Sequence, residues 1–379
     1  MKVLYITKEY PPYIYGGAGV HIKNLAQKIS KLIDVEVRCF GDQNVKDKNL
    51  VVRGYREWEE LKKSKEKYSS VLATFSAELK IANDYVDADV VHTHTWYSSF
   101  SGFLIKKLFN IPLVVTCHSL EPLRPWKVDQ IGRGYNLSVW TEKLALESAD
   151  KIIAVSREMK KDILKYFNVK ERNVEVIHNG VDLDKWKCVA SRNVQKKFSI
   201  EEDYILFVGR TTKQKGIEVL IKAADYIIPT VKIVICTTGA DTKEYLERVE
   251  KLATKKKNIV WINQMLSEKE TVEMYSGAKV FVCPSIYEPF GITNVEAMSC
   301  EVPVVASRVG GIKEIVVDSE TGFFVQPGNF KQLAKKINIL LKDKMLAKRF
   351  GIKGRERVEK YFSWDYIARK TTLLYKKIV

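Results

Sequence analysis

The sequence has little of what would assign it to a secreted, zinc-binding or membrane-spanning class. Its 379 residues include only six cysteines, scattered at positions 39, 117, 188, 236, 283 and 300 without a C-x-x-C pair. Neither a disulfide framework nor a zinc site is therefore expected. No apolar run approaches the ~20 residues of a membrane-spanning helix, and the first residues, MKVLYITKEY, are typical of a strand rather than of a signal peptide. We expect a cytoplasmic protein.

Acidic residues are also in deficit, with 46 Asp and Glu against 63 Lys and Arg and a formal net charge of +17. Such a charge favours an anionic partner or an unusual surface. The lysines are spread over helix-like segments, and no basic stripe with interleaved aromatics is present, so nucleic acid is not an expected partner. Association with an anionic membrane surface stays open but is not favoured. A solvated, lysine-rich surface, as in some thermophiles, is the simpler interpretation.

Strand-like runs alternate with helical patterns along the whole chain, which predicts an α/β protein with parallel sheets. The first series of predicted strands lies at 3–6, 35–39, 90–92, 113–117, 152–155 and 174–177. The second series lies at 204–208, 231–236, 259–261, 280–283, 304–306 and 323–325. The stretch 182–203 is polar and lacks a clear period, so the domain junction is placed there.

The segment CPSIYEPFGITNVEAM, at 283–298, has acidic residues where a predicted strand changes to a predicted helix. Ligands of open α/β sheets bind at the carboxyl ends of strands, which places Glu288 where it can contact one. Glu296 lies further along; on a continuous helix the two carboxylates would be ~12 Å apart, too far to share a proton or a metal. They are expected to contact different parts of one elongated ligand, although two ordinary surface acids fit the spacing as well.

Within that segment, EPFGITNVEAM resembles the E-x7-E signature of retaining glycosyltransferases of family 4, which have the GT-B fold. The resemblance implies two Rossmann-like domains with a cleft between them: an acceptor-side domain at 1–185, completed by a C-terminal helix at 364–379, and a nucleotide-sugar domain at 195–361. It also implies that Glu288 contacts the donor sugar, that the backbone of Phe290, Gly291 and Ile292 lines it, and that Glu296 binds the nucleotide ribose.

A glycine-rich segment, KEYPPYIYGGAG, follows the first predicted strand and precedes a helix expected from about Val20. Glycines before a helix allow an anion to approach the positive end of the helix. The segment matches neither G-x-G-x-x-G nor the P-loop, so an ordinary turn fits equally well. In family 4 such a loop approaches the donor diphosphate, and the resemblance extends this role to Gly17 and Gly19.

Metal-binding patterns are weak. Asp87 and Asp89 have the D-x-D spacing, but they lie at an expected helix end and no further oxygen ligand is nearby, so a solvated helix end is preferred. His92 and His94 point the same way along a strand, so a metal pair is conceivable. No third ligand is evident from the sequence, and we interpret His94 as a residue of the cleft.

Further candidate residues depend mainly on the resemblance. His118 ends a predicted strand, and its family counterpart contacts the transferred sugar, although a structural histidine fits the position equally well. The segment HSLEPLRPWK is similar to the short bacterial-type glycogen synthases and their maltose-1-phosphate-forming relatives. IHNGVD also matches the family, which assigns Asn179 to donor binding. In YILFVGRTTKQKG, Arg210 and Lys215 are two cations after a strand, and the resemblance assigns both to the leaving diphosphate rather than to a plain charged surface.

Three cations, Arg124, Lys127 and Arg133, follow His118 closely. They fit either a phosphate-bearing acceptor or a solvated, bracing loop, because a neutral glucan does not need them.

The predicted activity is transfer of glucose from a nucleotide diphosphate glucose, with ADP-glucose favoured, to an α-1,4-glucan or to glucose 1-phosphate. No cofactor and no metal are expected, and the oligomeric state is left open. The alternatives are hexosyl or mannosyl transfer to a lipid or small molecule, and a non-catalytic nucleotide-sugar or nucleic-acid binder.

Overall fold

The computed structural model describes residues 1–379, with the side chain of Lys62 excepted. The first half of the chain contains β1 (Lys2–Thr7), α1 (Gly17–Ile29), β2 (Asp34–Phe40), β3 (Asn44–Asp47), β4 (Leu50–Tyr55), α2 (Glu59–Lys62), α3 (Ser69–Asn83), β5 (Val90–His94), α4 (Ser99–Phe109), β6 (Leu113–Cys117), α5 (Val128–Ile131), α6 (Gly134–Ser148), β7 (Lys151–Ala154), α7 (Arg157–Tyr166) and β8 (Val174–Val176).

The second half contains α8 (Asn193–Lys197), β9 (Tyr204–Thr211), α9 (Ile217–Ala223), β10 (Lys232–Ala240), α10 (Lys243–Ala253), β11 (Ile259–Ile262), α11 (Glu268–Gly277), β12 (Val280–Cys283), α12 (Ile292–Ser299), β13 (Val304–Ser307), α13 (Ile312–Ile315), β14 (Gly322–Val325), α14 (Phe330–Lys342), α15 (Lys344–Tyr361) and α16 (Trp364–Tyr375). None of the helices in the described part of the chain combines the length and the apolar character needed to cross a membrane.

The chain divides into two compact units. The first comprises Met1–Asn179 and Trp364–Val379, and the second comprises Gly180–Ser363. The boundaries drawn from the sequence at 185 and 195 both fall inside the second unit. The reason is local: the N–H of Val181 donates to the carbonyl of Phe362, and Val181 pairs with Ser363, so the chain joins the second unit directly after Asn179.

Unit 1 is built on an eight-stranded sheet with the order β3-β4-β2-β1-β5-β6-β7-β8. All neighbours are parallel except β3 and β4, which are antiparallel. The inner strands are almost wholly buried, and β1 and β6 are largely apolar, as expected for a parallel sheet covered on both faces. Strands β3 and β4 were not predicted, because β3 is exposed throughout and β4 buries one residue, so neither presents an apolar run.

Helix α16 packs on α1 and on the central strands of unit 1. Trp364 and Tyr375 are buried there, and the Tyr375 hydroxyl lies 2.8 Å from that of Tyr5 on β1. These contacts attach the end of the chain to the sheet of unit 1.

Unit 2 is built on a six-stranded parallel sheet with the order β11-β10-β9-β12-β13-β14. Its apolar core includes Ile233 on β10, Leu220 on α9 and Ile337 on α14. Strands β9 and β12 are parallel neighbours, with Ile205 opposite Val280. Their carboxyl ends therefore meet at the same edge of the sheet, where ligands of such folds bind.

Candidate active site

The turn between β12 and α12 carries Glu288. The strand ends at Cys283, and the helix begins at Ile292 after Gly291, whose φ of 103° favours glycine. Glu288 therefore precedes the helix, and the ~12 Å separation expected from a continuous helix does not apply. Glu288 is buried, so the carboxylate is held within the protein rather than on the solvated surface.

A second loop packs tightly on the backbone of Glu288. Gly310 has a φ of 47°, and a Cβ there would lie 1.9 Å from the carbonyl oxygen of Glu288. The N–H of Gly311 donates to the same oxygen at 3.0 Å. A side chain at Gly310 would both strain the backbone and displace this turn, so the β13–α13 loop fixes the position of Glu288.

The loop after β9 brings Lys215 to Glu288. Gly216 has a φ of 67°, and a Cβ there would lie 2.0 Å from the carbonyl oxygen of Pro284. The N–H of Ile286 donates to the carbonyl of Gln214 at 2.7 Å. The two loops at the ends of neighbouring strands are thus in direct backbone contact.

Lys215 and Glu288 form a largely buried ion pair. The Lys215 Nζ lies 2.6 Å from Glu288 Oε2, which also accepts a hydrogen bond from Ser285 Oγ at 3.2 Å. Burial alone would lower the pKa of the Lys215 ammonium, but the Glu288 carboxylate beside it raises that pKa above its ordinary value. The sequence assigns Lys215 to a diphosphate only; the structure shows that it also neutralises Glu288.

Arg210 is exposed near the end of β9 and forms no ion pair with a carboxylate in the part of the chain that the structure describes. It is close enough to Lys215 for its positive charge to oppose protonation of that lysine. Two cations thus occur at one sheet edge, one paired and one unpaired. The second can meet an incoming anion without first losing a partner.

Glu296 lies on α12, where its Oε2 accepts a hydrogen bond from the Tyr275 hydroxyl at 3.1 Å. Burial raises the pKa of Glu296 to about 7, although the bond from Tyr275 opposes this. Phe290 buries its ring, with the centroid 5.9 Å from that of Phe362. Its side chain therefore belongs to the core, and the expected contact with a donor would involve its backbone, with that of Gly291 and Ile292.

The glycine segment of unit 1 is organised by Glu9. Glu9 Oε2 accepts the N–H groups of Tyr15 and Gly16, each at 2.8 Å. A Cβ at Gly19 would lie 2.7 Å from this oxygen, so glycine is required there. The predicted helix start near Val20 was wrong: α1 begins at Gly17, because Glu9 satisfies the amides just before it. Gly17 is exposed at the helix N-terminus, where an anion is stabilised.

His118 belongs to a buried cluster of imidazoles. His94 Nδ1 lies 3.1 Å from His118 Nε2, and their rings stack with centroids 5.4 Å apart. His21, from α1, meets the edge of His118 at 4.6 Å. Burial lowers the pKa of His94 and of His118 well below the ordinary value and that of His21 to about 4. All three rings are therefore neutral at pH 7.

Asn179 lies against this cluster. The resemblance assigns it to donor binding, and in the structure it is buried with its Oδ1 2.7 Å from His21 Nδ1. It serves as the hydrogen-bond partner of His21, because α1 packs against the segment that follows β8.

The same cluster offers a set of metal ligands that the sequence did not reveal. One nitrogen each from His21, His94 and His118 lies within 4.8 Å of the others, and the Nε2 atoms of His21 and His94 have no hydrogen-bond partner among the described residues. His92, considered with His94 from the sequence, is instead engaged by Tyr375 at 2.5 Å and Thr116 at 2.7 Å. Three neutral imidazoles fit a divalent metal chemically.

Asp87 and Asp89 lie outside this cluster. Asp89 Oδ2 accepts the backbone N–H of Lys2 at 2.7 Å, and Asp87 is 3.7 Å from Lys2 Nζ. Both acids thus follow α3 as partners of Lys2.

The three cations after His118 have different environments. Lys127 is buried, with its Nζ 2.8 Å from both oxygens of Glu121, so its expected acceptor role is corrected to that of a structural brace. Arg124 is largely buried and donates to Ser119 Oγ at 3.2 Å. Arg133 is exposed at the start of α6. The buried Glu121, which the sequence analysis did not single out, neutralises Lys127 and explains why this lysine does not serve as an acceptor contact.

Two of the missed residues had a sequence signal. His21 follows GGAGV closely enough to share its helix, and Glu9 precedes the prolines of the same segment. Ser285 lies three residues before Glu288 in the same segment, whereas Tyr275 carried no such signal, because it reaches Glu296 from the preceding helix α11.

Two family models match the chain: "Glycosyltransferase Family 4" over residues 15–185 and "Glycosyl transferases group 1" over residues 191–357. Among curated proteins, the α-maltose-1-phosphate synthases of Mycolicibacterium smegmatis and Mycobacterium tuberculosis are 39% and 40% identical to it, each over 100% of both chains. A glycogen synthase of Mycobacterium tuberculosis is 25% identical, over 99% of this chain and 94% of the relative.

Solved structures support the fold. Sucrose-phosphate synthase from Thermosynechococcus elongatus superimposes with a TM-score of 0.82 at 24% identity, over 100% of this chain and 99% of that one. Anabaena HepE, solved in complex with UDP-glucose, gives 0.80 at 19% identity over 100% of both chains. The two parallel-sheet units, the E-x7-E segment and these matches agree: the chain belongs to the family 4, group 1 glycosyltransferases of the GT-B fold, as its sequence predicts.

Proposed function

We propose that this enzyme transfers glucose from a nucleotide diphosphate glucose, ADP-glucose by preference, to glucose 1-phosphate and so forms α-maltose 1-phosphate. The observation that carries this choice is the identity of 39–40% over the full chain with two α-maltose-1-phosphate synthases, against 25% with a glycogen synthase. Extension of an α-1,4-glucan is a second use of the same donor and is included in the test.

We assign the donor sugar to Glu288 and the nucleotide ribose to Glu296. A carboxylate held between Lys215 and Ser285 has a fixed orientation, which suits an acceptor of sugar hydroxyl protons. The backbone of Phe290, Gly291 and Ile292 completes the contact with the donor. The complex of HepE with UDP-glucose supports a nucleotide sugar as the donor class.

We assign the leaving diphosphate to Arg210, to Lys215 and to the amides at Gly17 and Gly19. An ammonium has three N–H donors, so Lys215 can keep its bond to Glu288 and still donate to a phosphate oxygen. Negative charge grows on this phosphate as the glycosidic bond breaks, and fixed cations stabilise it more in the transition state than in the ground state.

The proposed reaction retains the anomeric configuration on one face of the sugar. The bond from C1 to the diphosphate oxygen breaks, a bond from C1 to the acceptor oxygen forms on the same side, and the acceptor proton passes to the departing phosphate. Double displacement would need a free carboxylate nucleophile, whereas Glu288 is paired with Lys215 and Glu296 is bonded to Tyr275. His118, neutral at pH 7, is assigned to a hydroxyl of the transferred sugar.

None of these steps requires a metal ion or a cofactor. The three imidazoles could hold a metal, but a metal there would compete with the sugar hydroxyl for His118.

The test supplies ADP-, UDP- or GDP-glucose with glucose 1-phosphate or with glycogen, and follows nucleotide release together with the mass of the product. We expect the fastest release with ADP-glucose and glucose 1-phosphate, and a disaccharide phosphate as the product. Transfer to glycogen alone would refute the proposed acceptor, and a faster reaction with UDP- or GDP-glucose would refute the proposed donor.

A further inference from the structure

A surface pocket of about 350 Å³ opens in unit 1 where three parallel strands end. Lys8 follows β1, Phe40 ends β2 and is followed by Gly41, and Tyr55 ends β4 and is followed by Arg56. Tyr13 and Tyr15 close the pocket from the glycine segment. Its volume is at the lower end of the range of small-molecule sites, and it lies on the strand edge where such folds bind ligands.

Lys8 is the unusual residue of this pocket. It is half-buried, yet it forms no ion pair with a carboxylate within the described part of the chain. Its ammonium instead lies 4.7 Å from the ring centroid of Tyr97 and 5.8 Å from that of Phe40. Nearby Lys127, by contrast, is fully paired with Glu121. A half-buried cation without a carboxylate partner among the described residues is ready to accept an anion.

The other charged groups of the pocket are arranged around Arg56. Asp42 accepts from Arg56 Nη2 at 2.5 Å and from the Tyr13 hydroxyl at 3.1 Å, and the two bonds lower the pKa of Asp42. Asp42 thereby holds Arg56 and Tyr13 in place, while the guanidinium keeps further N–H donors. Glu57 also lines the pocket and makes one end of it less favourable for an anion. The unpaired positive charge is therefore concentrated at Lys8.

The rings and the cation suit different parts of one ligand. Tyr13 and Tyr15 are exposed aromatic side chains, of the kind that packs against the apolar face of a sugar ring, and the Tyr15 hydroxyl can bond to the edge of the ring. Lys8 suits a phosphate.

Strand β1 is the neighbour of β5, which carries His94, and β5 is the neighbour of β6, which His118 follows. The pocket and the histidine cluster thus occupy one edge of the same sheet.

We propose that this pocket binds the sugar 1-phosphate acceptor, with Lys8 on its phosphate and the tyrosines against its ring. This inference rests on the proposed function and adds to it the residue that distinguishes a phosphorylated acceptor from a glucan. Lys8 thus takes over the acceptor role that was expected for Lys127, whose charge is neutralised by Glu121.

The experiment measures KM and kcat of the full chain for glucose 1-phosphate and for glycogen, with the donor saturating, in wild type, Lys8→Gln and Lys8→Arg. The matched control is Lys65→Gln, a lysine exposed on the same unit. Loss of one charged hydrogen bond corresponds to about a ten- to hundredfold change. We expect the KM for glucose 1-phosphate to rise by this factor in Lys8→Gln, with a smaller change in kcat and in the glycogen reaction. Lys8→Arg should restore most of the loss, and Lys65→Gln should match wild type.

Inorganic phosphate supplies a second readout. It should inhibit wild type competitively with glucose 1-phosphate and should lose this effect in Lys8→Gln. If wild type uses glucose 1-phosphate and the Lys8→Gln variant keeps its KM, the pocket assignment is overturned while the proposed function stands. An equal loss with both acceptors also overturns the assignment. Absence of any glucose 1-phosphate reaction in wild type overturns the proposed function and this inference together.

Discussion

Replacing Glu288 by glutamine removes one charge from a pair that connects fold and activity. The Lys215 and Glu288 side chains are 18% and 8% exposed, between the fully buried and the surface case. Breaking a buried pair costs ~3–5 kcal/mol, and breaking an exposed one costs ~0–1 kcal/mol. The glutamine oxygen can still accept from Lys215 and Ser285. We therefore expect a loss of about 1–3 kcal/mol in the free energy of unfolding, with the fold retained.

The effect on turnover should be much larger than the effect on stability. Glutamine keeps an acceptor for Lys215 but lacks the negative charge, so the proposed contact with the donor sugar hydroxyls is weakened and the Lys215 ammonium is no longer neutralised by its partner. We expect kcat to fall about a thousandfold, equivalent to about 4 kcal/mol of transition-state stabilisation. Lys215→Met should give a fall of similar size, because each residue positions the other.

A double-mutant cycle separates the pair from the general effect of a mutation. The coupling free energy of Glu288→Gln with Lys215→Met, from chemical unfolding, should be about 1–3 kcal/mol. Glu320 and Lys353 provide the control: they are 3.8 Å apart with side chains 59% and 48% exposed, and should give less than about 1 kcal/mol. A coupling no larger than in this control, or a well-folded Glu288→Gln enzyme with nearly normal turnover, would refute the reasoning.

Arg210→Ala should weaken nucleoside diphosphate binding by about ten- to a hundredfold and slow transfer. The control Arg349→Ala removes an exposed arginine of α15 and should change neither quantity. If titration calorimetry gave wild type and Arg210→Ala equal affinities for the diphosphate, the role of Arg210 would be contradicted. Burial raises the pKa of Glu296 to about 7, so between the ordinary pKa of a glutamate and pH 7 the folded protein holds a proton that the unfolded chain has released. The stabilising contribution of Glu296 is therefore complete below that ordinary pKa and is lost as the pH rises through about 7. In unfolding experiments, the Glu296→Gln variant should not show this loss of stability with rising pH. If the ionised carboxylate binds the ribose, the donor KM should decrease over the same pH range in wild type but not in Glu296→Gln. Activity should survive treatment with EDTA. If EDTA abolished activity, and zinc restored it in wild type but not in His21→Ala, a metal would instead be assigned to the three imidazoles.

Sequence reasoning recovered the strands that depend on apolar runs. Val280–Cys283 and Leu113–Cys117 are buried throughout, and burial on both faces leaves a continuous apolar run in the sequence. Strands β3 and β4 leave no such run, because they form the edge of the sheet of unit 1 and are largely solvated. Strand β4 pairs with β2, and β3 pairs with β4; no local sequence pattern indicates either pairing.

The candidate site was predictable to the extent that local motifs encode it. Glu288 and Glu296 lie in one short segment, and Arg210 and Lys215 in another. The contacts between segments were not predictable. His21 reaches His118 because α1 packs over the sheet, and Tyr275 reaches Glu296 from α11.

The lysines show why a count of charges in a sequence does not identify an anion site. Lys127 contacts both oxygens of Glu121, is 3% exposed and is surrounded by the rings of Trp96 and Tyr97, so it has neither the accessible surface nor the net charge to bind a phosphate. Lys215 contacts one oxygen of Glu288 and is 18% exposed, which leaves N–H donors for a second anion. Lys8 lies against the rings of Phe40 and Tyr97 and has no carboxylate partner among the described residues, so no ion pair neutralises its charge. The order of expected phosphate affinity, Lys8 and Lys215 above Lys127, follows from their partners and from nothing in the local sequence.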